Sequence, residues 1–301
     1  MRIGYPCINR SVGCSAGRTF RLASYSRDRL YATVAANLAC LEVVLDFNRD
    51  HGLLFFRISS DLVPFASHPV CTDPWQEACG PTFARLGRRI REEGHRISMH
   101  PDQFVLINAR DPGIVERSVA ELSYHAEVLD LLGLDATAKV QVHVGGVYGD
   151  REASIRRFVD AYDRLPEAVR RRLVIENDDG RYSAADCLSI SDETGVPVLF
   201  DRFHHAVYGA GEPVAEVLSQ VASTWGPGDG TPMVDYSTQA MGKRPGAHTT
   251  TIDREAFCQF LAESRAHDPD IMLEIKDKEQ SALLALEAAR ADQRLVTGVV
   301  R

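Results

Sequence analysis

The chain has 301 residues and a formal net charge of -8, with 45% of its residues hydrophobic and 25% charged. That balance excludes a disordered or fibrous chain and suits one large globular domain with a sizeable core. The negative sum argues against nonspecific nucleic-acid binding through overall charge, but leaves a basic loop free to act locally.

The opening MRIGYPCINR has neither an apolar leader core nor a small-residue cleavage pattern, and no uncharged apolar run is long enough to span a bilayer. The expectation is a cytoplasmic protein with no membrane partner, acting as a monomer. The seven cysteines form no C-x-x-C pair. Their scatter suits reduced, structural thiols.

In chain order, the first strand-like run is RIGYP from Arg2. A helical stretch over 28–52 follows, where Leu30, Val34, Leu38, Leu41 and Leu45 recur at spacings of three and four. Next come LLFFRIS from Leu53 and HRISMH from His95, then a helical stretch over 113–133 closed by a glycine. KVQVHV from Lys139, RLVIEN from Arg172, VPVLFD from Val196, PMVDYS from Pro232 and DIMLEI from Asp270 complete the strands. Eight alternating β/α units predict a TIM barrel, a single (β/α)8 domain. An open nucleotide-binding sheet would show a glycine-rich turn after its first strand, and none is present. GPGDGTP, from Gly226, is too short for a linker. The domain is therefore expected over 1–294, with a short tail at 295–301.

Such barrels build their active sites where the strands end, so the residue closing each run is informative. The third run ends at His100, the fourth carries His143, the fifth ends at Glu176 and the sixth at Asp201. The seventh carries Asp235 and the eighth reaches Glu274, while His204 and His248 lie in the following segments. Any one of these alone reads as a helix cap or a hydrogen-bonded histidine. Six ionic or polar groups converging on one mouth would be costly without a shared partner, and divalent cations supply one. Imidazole mixed with carboxylate suits manganese, zinc or iron, and the ligands are too many for one ion. Glu176, on a middle strand, can bridge two metals, and His204 with His248 can hold a third. Clustered metals of this kind serve phosphoryl chemistry.

Several segments together resemble the ultraviolet-damage DNA endonucleases, a branch of the metal-dependent TIM barrels. They are GYPCIN, FRISSDLVPFASHP, SMHPDQF, VHVGGVYG, IEND, DRFHHA, KRPGAH and EIKDKEQ, spread over most of the chain. The resemblance implies a DNA repair endonuclease that nicks damaged double-stranded DNA immediately 5′ to ultraviolet photoproducts, with abasic sites as further substrates. It implies two or three divalent ions, manganese first, with zinc or magnesium as alternatives. His100, His143 and Glu176 resemble the ligands of one metal; Glu176, Asp201, Asp235 and Glu274 those of a second; His204 and His248 those of a third. His68 resembles a family histidine close to this cluster. His68, His100, Glu176 and Lys276 are the expected catalytic residues, with Lys276 and Lys278 near the scissile phosphate.

Tyr5, Asn9, Gln103 and Phe104 match family positions that touch DNA, and Gln103 with Phe104 would fill the gap left by a flipped-out lesion. Lys243 and Arg244, in the His248 loop, are placed to meet phosphates. Two departures stand out: Met233 and Asp235 replace the family's Lys-x-His, so no carboxylated lysine forms there, and Phe104 replaces a tyrosine. The rival on the same barrel is a metal-dependent sugar or sugar-phosphate isomerase, which needs a pocket closed to macromolecules. A non-catalytic binding protein would be expected to have lost ligands.

Overall fold

The computed structural model describes residues 1–298. Each predicted run forms a strand: β1 Ile3–Pro6, β2 Phe55–Ile58, β3 Arg96–Met99, β4 Lys139–His143, β5 Leu173–Glu176, β6 Val198–Asp201, β7 Met233–Tyr236 and β8 Asp270–Leu273. All pair in parallel with their sequence neighbours, and β8 pairs with β1, closing the barrel. Helices α1 Arg27–His51, α2 Trp75–Glu92, α3 Pro112–Leu131, α4 Arg151–Asp163 and α5 Glu167–Arg170 cover the first half. Helices α6 Ala184–Thr194, α7 Arg202–Tyr208, α8 Val214–Ser223, α9 Arg254–Glu263 and α10 Glu279–Ala288 cover the second.

Because both faces of a parallel sheet are covered, the strands read as near-continuous apolar runs. Their alternation nevertheless divides the core in two. The outward residues, such as Phe56, Val140, Ile175, Phe200 and Ile271, pack against the helices. Inside the barrel, Phe55, Val174, Leu199, Met233 and Met272 form a separate apolar layer. Below it, Arg96 and Lys139 lie over the Trp225 ring and pair with Asp270 and Asp229, closing the floor.

The helix ends follow local chemistry. Ser26 caps α1 through its side chain, and Gly52 ends the helix in the left-handed region that its lack of a Cβ allows. α1 is long and apolar enough to cross a membrane by length and composition. Here Leu30, Val34, Leu38, Leu41 and Leu45 are instead buried in the barrel's outer core.

The expectation of seven free thiols is overturned at one pair. Cys14, in the segment after β1, is bonded to Cys40 on α1, with Cα atoms 5.8 Å apart. Their separation of 26 residues hid the contact, since proximity depends on the segment folding back over the helix. At the floor, the Val296 N–H donates to the Met1 carbonyl at 3.0 Å and Leu295 packs on the core. The first part of the expected tail is thus ordered against the barrel; residues 299–301 lie outside the described residues.

Candidate metal centre

The strand register sets the site. β4 and β5 bring His143 level with Glu176, and β6 and β7 pair Asp201 with Asp235. His100 and Glu274 stand just past the ends of β3 and β8. One carboxylate oxygen is the focus: Glu176 Oε1 lies 3.0 Å from His100 Nε2 and 2.9 Å from His143 Nε2. These three residues offer ligand atoms within 4.8 Å of one another, and so do Glu176, Asp201 and Asp235. The rings of His100, His143, His204 and His248 follow one another round the rim, with successive centroids 5.4, 6.0 and 5.9 Å apart.

Backbone carbonyls orient three of these rings. Nδ1 of His100 lies 2.7 Å from the Pro101 oxygen, that of His204 3.0 Å from Asn177 O, and that of His248 2.7 Å from Glu274 O. Donation from Nδ1–H leaves each Nε2 with a lone pair for a cation. Asp201 caps α7 by accepting from the His204 N–H at 2.7 Å, which ties strand end to helix start.

The electrostatics favour added positive charge. Burial pushes the Glu176 carboxyl up, but the His143 and His100 imidazoles hold it well below the usual carboxylate range. Burial pushes the His143 imidazole down, and the Glu176 carboxylate overrides it, lifting the ring to about 9. Burial raises Asp201 to about 6 against the pull of His204, and the Glu274 and Glu176 charges add to the rise. Crowded acids beside oriented imidazoles are a donor set that fits divalent cations.

The sequence reading missed the fixed cation in this cluster. Arg57, from β2, has a side chain only 3% exposed. Its Nη2 donates to both Asp235 oxygens at 2.7 and 2.8 Å and to Gln141 Oε1 at 2.6 Å, while Nη1 reaches Glu274. Gln141 Nε2 in turn donates to Glu176 Oε2 and Asp235 Oδ2, each at 2.7 Å. Asp235 is therefore the counter-ion of Arg57 as well as a member of the acid group. A signal existed in FFRI and KVQVH, where a polar residue interrupts an apolar run at a lumen-facing position.

The remaining predicted residues divide by exposure. Lys276 is exposed and Lys278 half-buried, and both line a mouth cavity of about 460 Å³ with Arg57, His100, His248 and Glu274. Gln103, Lys243 and Arg244 are exposed on mouth-side loops, and the Phe104 side chain is among the most open apolar groups. His68 is exposed on the loop after β2, where its Nδ1 accepts from the Val70 N–H, outside both metal-ligand groups. Tyr5 and Asn9, expected at the DNA, are placed differently from these exposed residues. Both are buried; the Asn9 amide donates to the Tyr5 hydroxyl, which donates to Asn48 Oδ1. Together they brace the loop after β1.

The model of the UV-endonuclease UvdE family matches residues 1–300. The chain belongs to that family. A UV DNA damage endonuclease of Clostridium perfringens (strain 13 / Type A) is 34% identical over 292 residues, covering 96% of this chain and 71% of that protein. One from Bacillus cereus (strain Q1) is 33% identical over 293 residues, covering 94% and 92%. The crystal structure of SacUVDE, another family member, superposes with a TM-score of 0.92 at 43% identity, covering 96% of this chain and 98% of that one. Endonuclease IV from Thermus thermophilus, at a TM-score of 0.60 and 21% identity over 97% of this chain and 98% of its own, shares the fold.

Proposed function

We propose that this UvdE-family protein is a DNA repair endonuclease that nicks the backbone immediately 5′ to ultraviolet photoproducts, with abasic sites as secondary substrates. The observation that carries the reading is Glu176 Oε1 set between the Nε2 atoms of His100 and His143 at an open barrel mouth. His100, His143 and Glu176 would hold a first divalent ion, Glu176, Asp201, Asp235 and Glu274 a second, and His204 with His248 a third. Manganese suits these ligands best, with zinc and magnesium as alternatives. Such ions, when bound, acidify water and stabilise charge on the attacking and leaving oxygens.

The chain's own residues do the rest. Gln103 and Phe104 occupy the gap opened when a photoproduct leaves the stack, and a damaged step unstacks at lower cost than a normal one. Lys243 and Arg244 meet phosphates and fix the register of the duplex without reading its sequence. Lys276 offers its ammonium to the scissile phosphate, with His68 beside the approach path. Arg57 holds Asp235 and Glu274 in place through a buried ion-pair network. A sugar isomerase would need these groups enclosed; the exposed Phe104 and the basic loop favour a macromolecular substrate.

The test is to incubate ultraviolet-irradiated and untreated supercoiled plasmid with the protein and manganese. Only the irradiated plasmid should be nicked; equal nicking of both, or of neither, refutes damage-specific cleavage. Elemental analysis should find two or three ions per chain, and His100→Ala should lower that number. Nicking should then fall by more than the roughly 10–100-fold that outer-shell changes cost.

A further inference from the structure

Lone exposed apolar side chains are common and need no explanation. Their placement here is not scattered. Among the described residues, the exposed large hydrophobics are Ile8, Leu22, Val43, Phe104 and Met241. Val43 lies on α1, and the other four lie on segments that follow β1, β3 and β7, at the mouth. Met241 is the extreme case at 98% exposed, against 73% for Phe104.

The loop presenting Met241 is built, not loose. Gln239 and His248 form an antiparallel bridge across its base. The Ala240 N–H donates to Ala247 O at 2.7 Å and the Thr249 N–H to Thr238 O at 2.9 Å. The Gln239 amide spans the interior, donating to Ala240 O and Arg244 O at 3.1 and 2.9 Å and accepting from the Gly246 N–H at 3.0 Å. Gly242 closes the tip at a φ of 67°, where a side chain would be strained. Exposed Lys243 and Arg244 follow directly, and His248 ties the loop to β8 through the Glu274 carbonyl.

In a closed barrel of eight sequential strands, β3 and β7 are four strands apart in either direction and so face each other across the mouth. The segments that carry Phe104 and Met241 therefore leave the barrel on opposite sides of the candidate metal centre. We propose that Met241 is a second apolar wedge, entering the damaged duplex from the side opposite Phe104 while Lys243 and Arg244 hold the adjoining phosphates. Methionine is among the apolar residues that can part base steps, and its unbranched thioether adapts to an irregular gap. Two wedges facing each other can support both the vacated position and the orphaned partner bases once a photoproduct dinucleotide leaves the stack. The cations beside the tip match a phosphate-lined ligand and would be out of place beside an apolar protein partner. This inference rests on the DNA-repair reading above.

The experiment uses a duplex with a single cyclobutane dimer and 2-aminopurine opposite it, bound in the presence of a chelator so that no cleavage intervenes. Wild-type protein should raise the 2-aminopurine emission. Met241→Ser should weaken binding about tenfold, the order expected for losing one buried apolar side chain, and should cut the emission rise. Met241→Leu should restore both, and all three proteins should melt at the same temperature, since the side chain is free of the fold. Lys243→Gln with Arg244→Gln should instead flatten the salt dependence of binding. Met241→Ser that matches wild type in affinity and emission overturns the wedge while leaving the endonuclease reading intact. Wild-type protein that neither binds this duplex nor, with manganese in place of chelator, nicks it overturns both.

Discussion

At the scale of single residues, Arg57 carries the largest structural demand. Its guanidinium has almost no contact with water and depends on Asp235 and Glu274 for neutrality. Removing one partner of a buried pair leaves the other charged and unsolvated, which costs about 3–5 kcal/mol. Asp235→Asn should therefore lower the unfolding free energy of the metal-free protein by about 3 kcal/mol or more. Arg57→Met combined with Asp235→Met should recover most of that loss, as chemical denaturation in chelator can check. The strand-end histidines and acids of the candidate metal centre were legible in the sequence because each closes an apolar run. Arg57 and Gln141 were not, because their partners come from other strands and only closure of the barrel brings them together. The burial of Tyr5 and Asn9 was hidden for a related reason: a family match fixes identity at a position, while exposure is set by how the loop after β1 packs on Asn48.

Among elements, the strands and the long helix α1 were readable from periodicity, and their bounds agree with the sequence to within a residue or two. What periodicity could not give was the path of the segment between β1 and α1. That segment is fastened by the Cys14–Cys40 bond and by Asn37, whose amide donates to Arg18 O at 3.0 Å and to Leu62 O at 3.1 Å. Glu279 at the start of α10 holds its other part, accepting from the Arg10 N–H and the Ser11 hydroxyl. Closing a loop with a 26-residue separation restricts the unfolded chain, worth about 3 kcal/mol. Replacing Cys14 and Cys40 together by alanine should lower stability by about that amount. Reductant should do the same to the wild type, with no effect on the double variant in a parallel denaturation series.

For the whole molecule, one contribution to acid sensitivity comes from two buried histidines that are not members of the acid cluster, although the His100 charge adds to the lowering of one of them, His125. Burial lowers His125 on α3, against the pull of Glu121, and lowers His95 before β3, against the pull of Glu93. Their folded values thus lie below the ordinary 6.5. Above that pH both rings are neutral, folded or unfolded, and contribute nothing to the pH dependence. As the pH falls through 6.5 the unfolded chain takes up protons that the folded chain refuses, so stability drops until the folded values are passed. These two rings therefore contribute a loss of stability on acidification below 6.5, and His125→Leu should lose less melting temperature over that range than the wild type, as a parallel pH series can check.

The contact between Met1 and Val296 beneath the floor has a practical consequence. Met1 precedes β1 and its carbonyl accepts from the Val296 N–H, so both segments lie at the face opposite the candidate metal centre and the exposed Phe104 and Met241. A fluorophore or surface anchor attached through a cysteine placed at the exposed Ala266, in the turn before β8, would point away from any duplex seated on the mouth. The protein could then be held to a solid support while its working face stays open to long DNA.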